Sequence, residues 1–157
     1  MTYLTFKSLH IFSLILLFGT GLGSAFYKYM ADLNGDVHAI YTTNKHVVLA
    51  DWLFTTPTVL IQPITGYYLL QELPFPITTP WLLTSIILYL LAGACWLPVV
   101  VLQIRMRELS RQAVQQHTSL DPQYFVMARQ WFWLGVPAFI AMILIVLLMV
   151  LKPALWS

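Results

Sequence analysis

The stretch WFWLGVPAFIAMILIVLLMVL at 131–151 contains no charged residue. It matches the ~20 apolar residues that carry a helix across a bilayer's ~30 Å of hydrocarbon. Ahead of it stands Asp121-Pro122, a carboxylate able to cap a helix followed by a residue whose fixed φ suits the first turn. Lys152-Pro153 closes it. The segment 122–151 therefore reads as a transmembrane helix, with Trp131, Trp133 and Trp156 as members of the aromatic belts found at membrane interfaces.

Three further apolar segments precede it, at about 3–30, 37–71 and 80–104. The chain as a whole has 157 residues, 59% hydrophobic and 9% charged, where a soluble domain carries roughly a quarter charged residues. Its mean hydropathy is +0.76. The expected fold is all-α, a single integral membrane domain over 1–157 built as a four-helix transmembrane bundle. Lys and Arg exceed Asp and Glu by only two and form no basic stripe, which excludes nucleic-acid binding. The single cysteine, Cys95, allows no intramolecular disulfide and no Cys-rich metal site. A small packing residue accounts for it.

Gly-Leu-Gly-Ser-Ala at 21–25 could pass for a signal cleavage site, but Lys7 is a weak positive region and the apolar run continues to Tyr29. The first segment is read as an uncleaved helix. A polar turn over 31–36 follows. The second segment exceeds the length a bilayer needs, and its first third, with His38, Asn44, Lys45 and His46, is expected to protrude or lie at the membrane surface. Pro57 and Pro63 predict a kinked second helix. Pro74, Pro76 and Pro80 predict a rigid loop, and 105–121 a charged connection. His38 and His117 are expected outside the membrane. Lys28, Lys45, Arg105, Arg107, Arg111 and Arg129 lie toward the two charged connections, against Lys7 and Lys152 at the opposite end. That bias predicts both charged connections in the cytoplasm and both termini on the outer side of the membrane.

Asp51, Thr55, Thr58, Gln62 and Thr65 recur at intervals of four and three and so share one stripe of the second helix. For the Thr and Gln residues a hydrogen-bonded seam between helices suffices. An intramembrane carboxyl is costly unless it has a partner or a chemical role. Asp51 is expected either to pair with Lys28, Lys45 or Arg105, or to relay protons. In the first helix, Gly19 and Gly23 form a small-xxx-small pair that favours close helix approach. His10, about 10 Å into the apolar region by helical rise, is a candidate ligand for haem iron, which neutral imidazole binds well. His46 is a second candidate, but it lies toward the opposite membrane face, so the two histidines would serve separate haems.

The ordered motifs Leu9-His10, Ala50-Asp51-Trp52-Leu53-Phe54-Thr55-Thr56-Pro57, Gln62-Pro63-Ile64-Thr65-Gly66, Thr79-Pro80-Trp81-Leu82, Cys95-Trp96-Leu97-Pro98 and Gln103-Ile104-Arg105-Met106-Arg107 resemble those of a bacterial family of predicted integral membrane proteins. The resemblance covers nearly the whole chain and implies no particular activity. On Leu9-His10, Thr56-Pro57, Trp81-Leu82 and Lys152-Pro153 the chain is more distantly similar to HemJ-type protoporphyrinogen oxidases and CopD-like membrane domains. That likeness implies a four-helix unit with haem b held at His10. A lysine important in the HemJ pattern falls at Ser85 here, beside Thr84. Neither supplies a charge or a nitrogen ligand, so protoporphyrinogen oxidation is not carried over.

Three functions are thus in view. The first is a haem b protein, a membrane oxidoreductase if an enzyme, exchanging electrons with a quinone or a partner protein while Asp51 moves protons. The second is a cofactor-free structural or accessory subunit, with Arg105, Arg107 and Arg111 as headgroup anchors. The third is a transporter-like homo-oligomer with Gln62, Thr58 and Asp51 lining a polar path. The sequence holds no nucleotide-binding loop and no nucleophile constellation, so any chemistry lies in the membrane or on a cofactor.

Overall fold

A computed structural model of the chain describes residues 2–73 and 75–155. Pro74 of the expected loop and Trp156 of the expected aromatic belt lie outside the described residues. The elements are α1 (Thr2–Asn34), α2 (Val37–Ala50), a π-helical turn (Asp51–Thr55), α3 (Thr56–Gln71), α4 (Pro80–Gln116) and α5 (Pro122–Leu151). No strand occurs among the described residues. Because α2, the π turn and α3 run on without a break, there are four rods, each long and apolar enough to cross a membrane.

Both charged connections are shorter than the hydropathy pattern predicts. Helix α1 continues through residues 31–34, and the chain reverses at Gly35 and Asp36. Gly35 has φ +75°, a conformation that strains any residue carrying a Cβ. The Asp36 carboxylate accepts the His38 N–H at 3.0 Å and so caps α2. Helix α4 runs twelve residues past its expected end at 104. Good helix formers fill that extension, Met106, Ser110 and Ala113 bury its inner face, and Arg111 pairs with Glu108 at 2.6 Å on its outer one. The helix stops where His117 turns left-handed, with the Thr118 N–H reaching back to the Ala113 carbonyl at 3.0 Å. Asp121 caps α5 as the Asp-Pro signal predicts, accepting the Gln123 N–H at 2.7 Å.

At about 1.5 Å per residue, the 37 residues of α4 reach well beyond ~30 Å of hydrocarbon. Over that overhang Ile40, Asn44, Val47 and Val48 of α2 are buried, and Ile40, Met106, Tyr124, Met127 and Trp131 form an apolar cluster. The polar first third of the second segment is therefore a packed helix. Within the apolar spans the pattern inverts. Ser13, Thr55, Thr58, Gln62, Thr65, Ser85 and Gln103 are buried, while Ile15, Leu22, Leu60, Leu90, Leu97 and Val150 point outward. This is the arrangement that lipid as solvent demands.

The irregularity expected from the prolines takes a specific form. One turn before Pro57 the helix widens, and the Thr56 N–H bonds to the Asp51 carbonyl five residues back. Pro63 has no N–H for the Val59 carbonyl four residues earlier. Tyr89 of α4 supplies the missing donor, its hydroxyl bonding to that oxygen. Closest packing joins α4 to α5, α2 to α4, and α1 to α3.

Tyr89→Phe should cost about 1–3 kcal/mol, because it orphans a carbonyl in hydrocarbon. In a Pro63→Ala background the backbone N–H restored at that position serves Val59, and the same change should cost less by at least ~0.5 kcal/mol. Reversible unfolding in detergent micelles measures both; equal costs in the two backgrounds would contradict the pairing.

Candidate functional site

Three polar systems occupy the interior. The first is a seam between α1 and α3. Gln62 Nε2 donates to the His10 carbonyl at 2.9 Å and to Ser13 Oγ at 2.8 Å. Thr65 Oγ1 sits 2.7 Å from His10 Nδ1. The Thr65 hydroxyl also lies 2.7 Å from the Ile61 carbonyl; when it donates there, His10 Nδ1–H is the donor to Oγ1 and the lone pair is on Nε2. Half-buried, His10 lies at this seam, whereas His46 is exposed on α2.

The second system is centred on Asp51, 6% exposed, at the head of the π turn. The Thr55 hydroxyl donates to its Oδ1 at 2.8 Å. Gln103 of α4 satisfies both of its own polar atoms with its nitrogen toward Asp51: Nε2 donates to Oδ2 at 2.6 Å, and Oε1 accepts from Trp131 Nε1 at 3.1 Å. The expected cationic partners are not used. Among the described residues Asp51 forms no ion pair; it accepts from two neutral donors. Thr58, on the same stripe, bonds locally to the Phe54 and Thr55 carbonyls, both at 2.8 Å.

The third system ties α1, α2, α4 and α5 together, and Lys28 is its centre at 1% exposure. Its ammonium donates to Asp32 Oδ2 and to the Tyr124 hydroxyl, both at 2.9 Å. Tyr124 donates to Asp32 Oδ1 at 2.6 Å. Asn44 Nδ2 donates to the Tyr124 oxygen at 3.0 Å and to Ser110 Oγ at 3.2 Å. The ammonium also lies 5.4 Å from the centre of the Trp131 ring. Every partner is internal, so the arrangement is a clamp. Sequence reasoning missed it, although the i, i+4 spacing of Lys28 and Asp32 was a signal that could have found the ion pair.

Between these systems lies a cavity of about 330 Å³, within the size range of sites for small molecules. Asp51, Thr55, Gln103 and Trp131 stand together on its lining, and Val59, Ala92, Val99, Val136 and Phe139 make apolar wall. Tyr89 and Trp96 also line it, at intervals of seven along the α4 face that carries Gln103. Trp96 Nε1 is buried with no hydrogen-bond partner. An orphaned buried donor costs about 1–3 kcal/mol and calls for an explanation. At Gly93, on the same wall, an added Cβ would meet nothing within 4 Å. His10 is not on the cavity lining, so the imidazole and the Asp51 cluster are separate places. Ser85 is buried and donates to the Trp81 carbonyl at 2.7 Å. No group of three or more His, Cys, Asp or Glu side chains suited to a metal ion occurs among the described residues.

A family model described as "Predicted integral membrane protein (DUF2269)" matches residues 4–153. Comparison with curated proteins and with solved structures finds no match.

The clamp yields a direct expectation. Asp32→Ala leaves a buried ammonium without its counter-ion and should destabilise the protein by about 3–5 kcal/mol, whereas Lys28→Met with Asp32→Leu should recover most of that loss. Unfolding in micelles decides; a double variant no more stable than Asp32→Ala would show that the loss does not come from an uncompensated ammonium.

Proposed function

Because the chain belongs to this family of integral membrane proteins, we propose that its activity lies within the bilayer: it is a bacterial cytoplasmic-membrane redox protein that binds a quinone-like ring in the cavity. The observation that carries this reading is the unpartnered Trp96 indole N–H on the wall of a mainly apolar cavity that also holds a carboxyl group. A ring carbonyl would accept from that N–H, and flat aromatic walls would hold the ring. Reducing a quinone takes two electrons and two protons. A haem or a redox partner protein would supply the electrons, and Asp51 would pass the protons one at a time. The excess of Lys and Arg at the end with the two charged connections supports periplasmic termini.

A second reading, haem b at His10, is favoured by one observation. Thr65 Oγ1 lies 2.7 Å from Nδ1, where it would accept from Nδ1–H as an outer-shell group does for an imidazole ligand and leave the Nε2 lone pair for iron.

In lipid nanodiscs, a decyl-tailed benzoquinone should quench the tryptophan fluorescence of the wild-type protein saturably. Gly93→Leu, which places a side chain in open space, should weaken that binding by about tenfold or more, because it occupies volume the ring needs. Unchanged binding would remove the cavity from consideration. A more stable Gly93→Leu protein from a wild type that binds nothing would support the cofactor-free accessory reading instead. Quinone-independent proton flux in vesicles, lost in Asp51→Asn, would support the transporter reading.

For haem, membrane-purified protein should show a Soret band and a reducible α-band that His10→Ala abolishes or shifts. Colourless protein from haem-replete cells would end that reading.

A further inference from the structure

The place where the cavity meets the lipid determines what kind of molecule reaches it. Helices α1 and α5 both line the cavity but are not among the closely packed pairs. Two aromatic contacts bracket the gap between them. Phe18 meets Phe139 with ring centres 5.5 Å apart, and Tyr29 meets Phe132 at 6.1 Å. Between these brackets α5 advances seven residues, or about 10 Å. Gly21 and Leu22 of α1 and Gly135 and Val136 of α5 lie in that interval and line the cavity. A Cβ added at Gly21 or at Gly135 would meet nothing within 4 Å. Leu22 is exposed on the outer surface. Toward the charged connections the lining includes Trp131, whose ring centre lies 5.4 Å from the Lys28 ammonium.

We propose that this gap is a lateral portal and that the cavity's ligand is an amphiphile dissolved in the membrane, its ring near Asp51 and Gln103 and its isoprenoid or alkyl tail leaving between Gly21 and Gly135 into the bilayer. The inference rests on the ring-binding reading above and adds the route and the tail. Its chemistry follows from the layout. Polar groups gather around Asp51, apolar side chains line the walls, and the opening faces hydrocarbon, where a tail remains in the solvent it prefers. The two glycines leave room for that tail where larger side chains would close the gap.

The test compares a tail-less benzoquinone with the same ring bearing a decyl tail, using the full chain in nanodiscs of zwitterionic lipid. In the double variant Gly21→Leu with Gly135→Leu, the tailed ring should bind about tenfold more weakly, because the tail can leave only by displacing the added side chains. The tail-less ring should change by no more than about twofold. Equal affinity of wild type and double variant for the tailed ring would overturn the portal. So would an equal loss for both rings, which would place the ring itself in the gap. A wild type that binds neither ring would remove the quinone reading and the portal with it. Phe139→Ala provides a check that does not depend on the folding of the double variant. By widening the gap it should speed association of the tailed ring, and an unchanged rate would also overturn the proposal.

Discussion

Hydrocarbon offers no hydrogen bonds, so every polar group that enters it must find a partner within the protein. The interior of this bundle follows from that constraint. The stripe on the second membrane helix is buried because lipid would leave it unpaired, and Gln62 and Thr65 draw α1 against α3 as they find partners. The constraint extends to the backbone. Pro63 deprives Val59 of its usual donor, and the deficit is met from another helix by Tyr89. Trp96 Nε1 departs from the rule, and it does so on a cavity wall.

The two ionisable interior centres solve the same problem differently. Lys28 and Asp32 are opposite charges with Tyr124 donating to the carboxylate and accepting from the ammonium. The set is closed, joins four helices and has the character of a clamp. Asp51 is served by neutral donors and borders open volume. A carboxyl held that way can change its protonation without breaking an ion pair, a freedom that Asp32 beside the Lys28 ammonium lacks.

Periodicity made one side of each contact legible. Asp51, Thr55, Thr58, Gln62 and Thr65 could be placed on one face because residues four and three apart share a helix side. Their partners Ser13, His10 and Gln103 come from other helices, and nothing in a single sequence pairs Gln103 with Asp51. The same limit hid Tyr124, 96 residues from Lys28. The fold class was readable because hydropathy reports directly where hydrocarbon is crossed. The helix ends were not, because hydropathy marks where the hydrocarbon stops rather than where the backbone stops spiralling. Thus residues 31–34 and 105–116 looked like connections and are helix. The cavity had no sequence signal, since Gly21, Gly93 and Gly135 become empty space only once three helices are placed around them.

The bond between Tyr89 and the Val59 carbonyl also bears on how the chain enters the membrane. A newly made second segment carries an unmet carbonyl at Val59, and releasing it alone into lipid would expose that group at a cost of several kcal/mol. Its donor lies thirty residues downstream, on the next segment to be synthesised. Joint release of the second and third segments as a hairpin would spare that group the exposure, because Tyr89 would complete its partner's backbone as the pair moves into the bilayer.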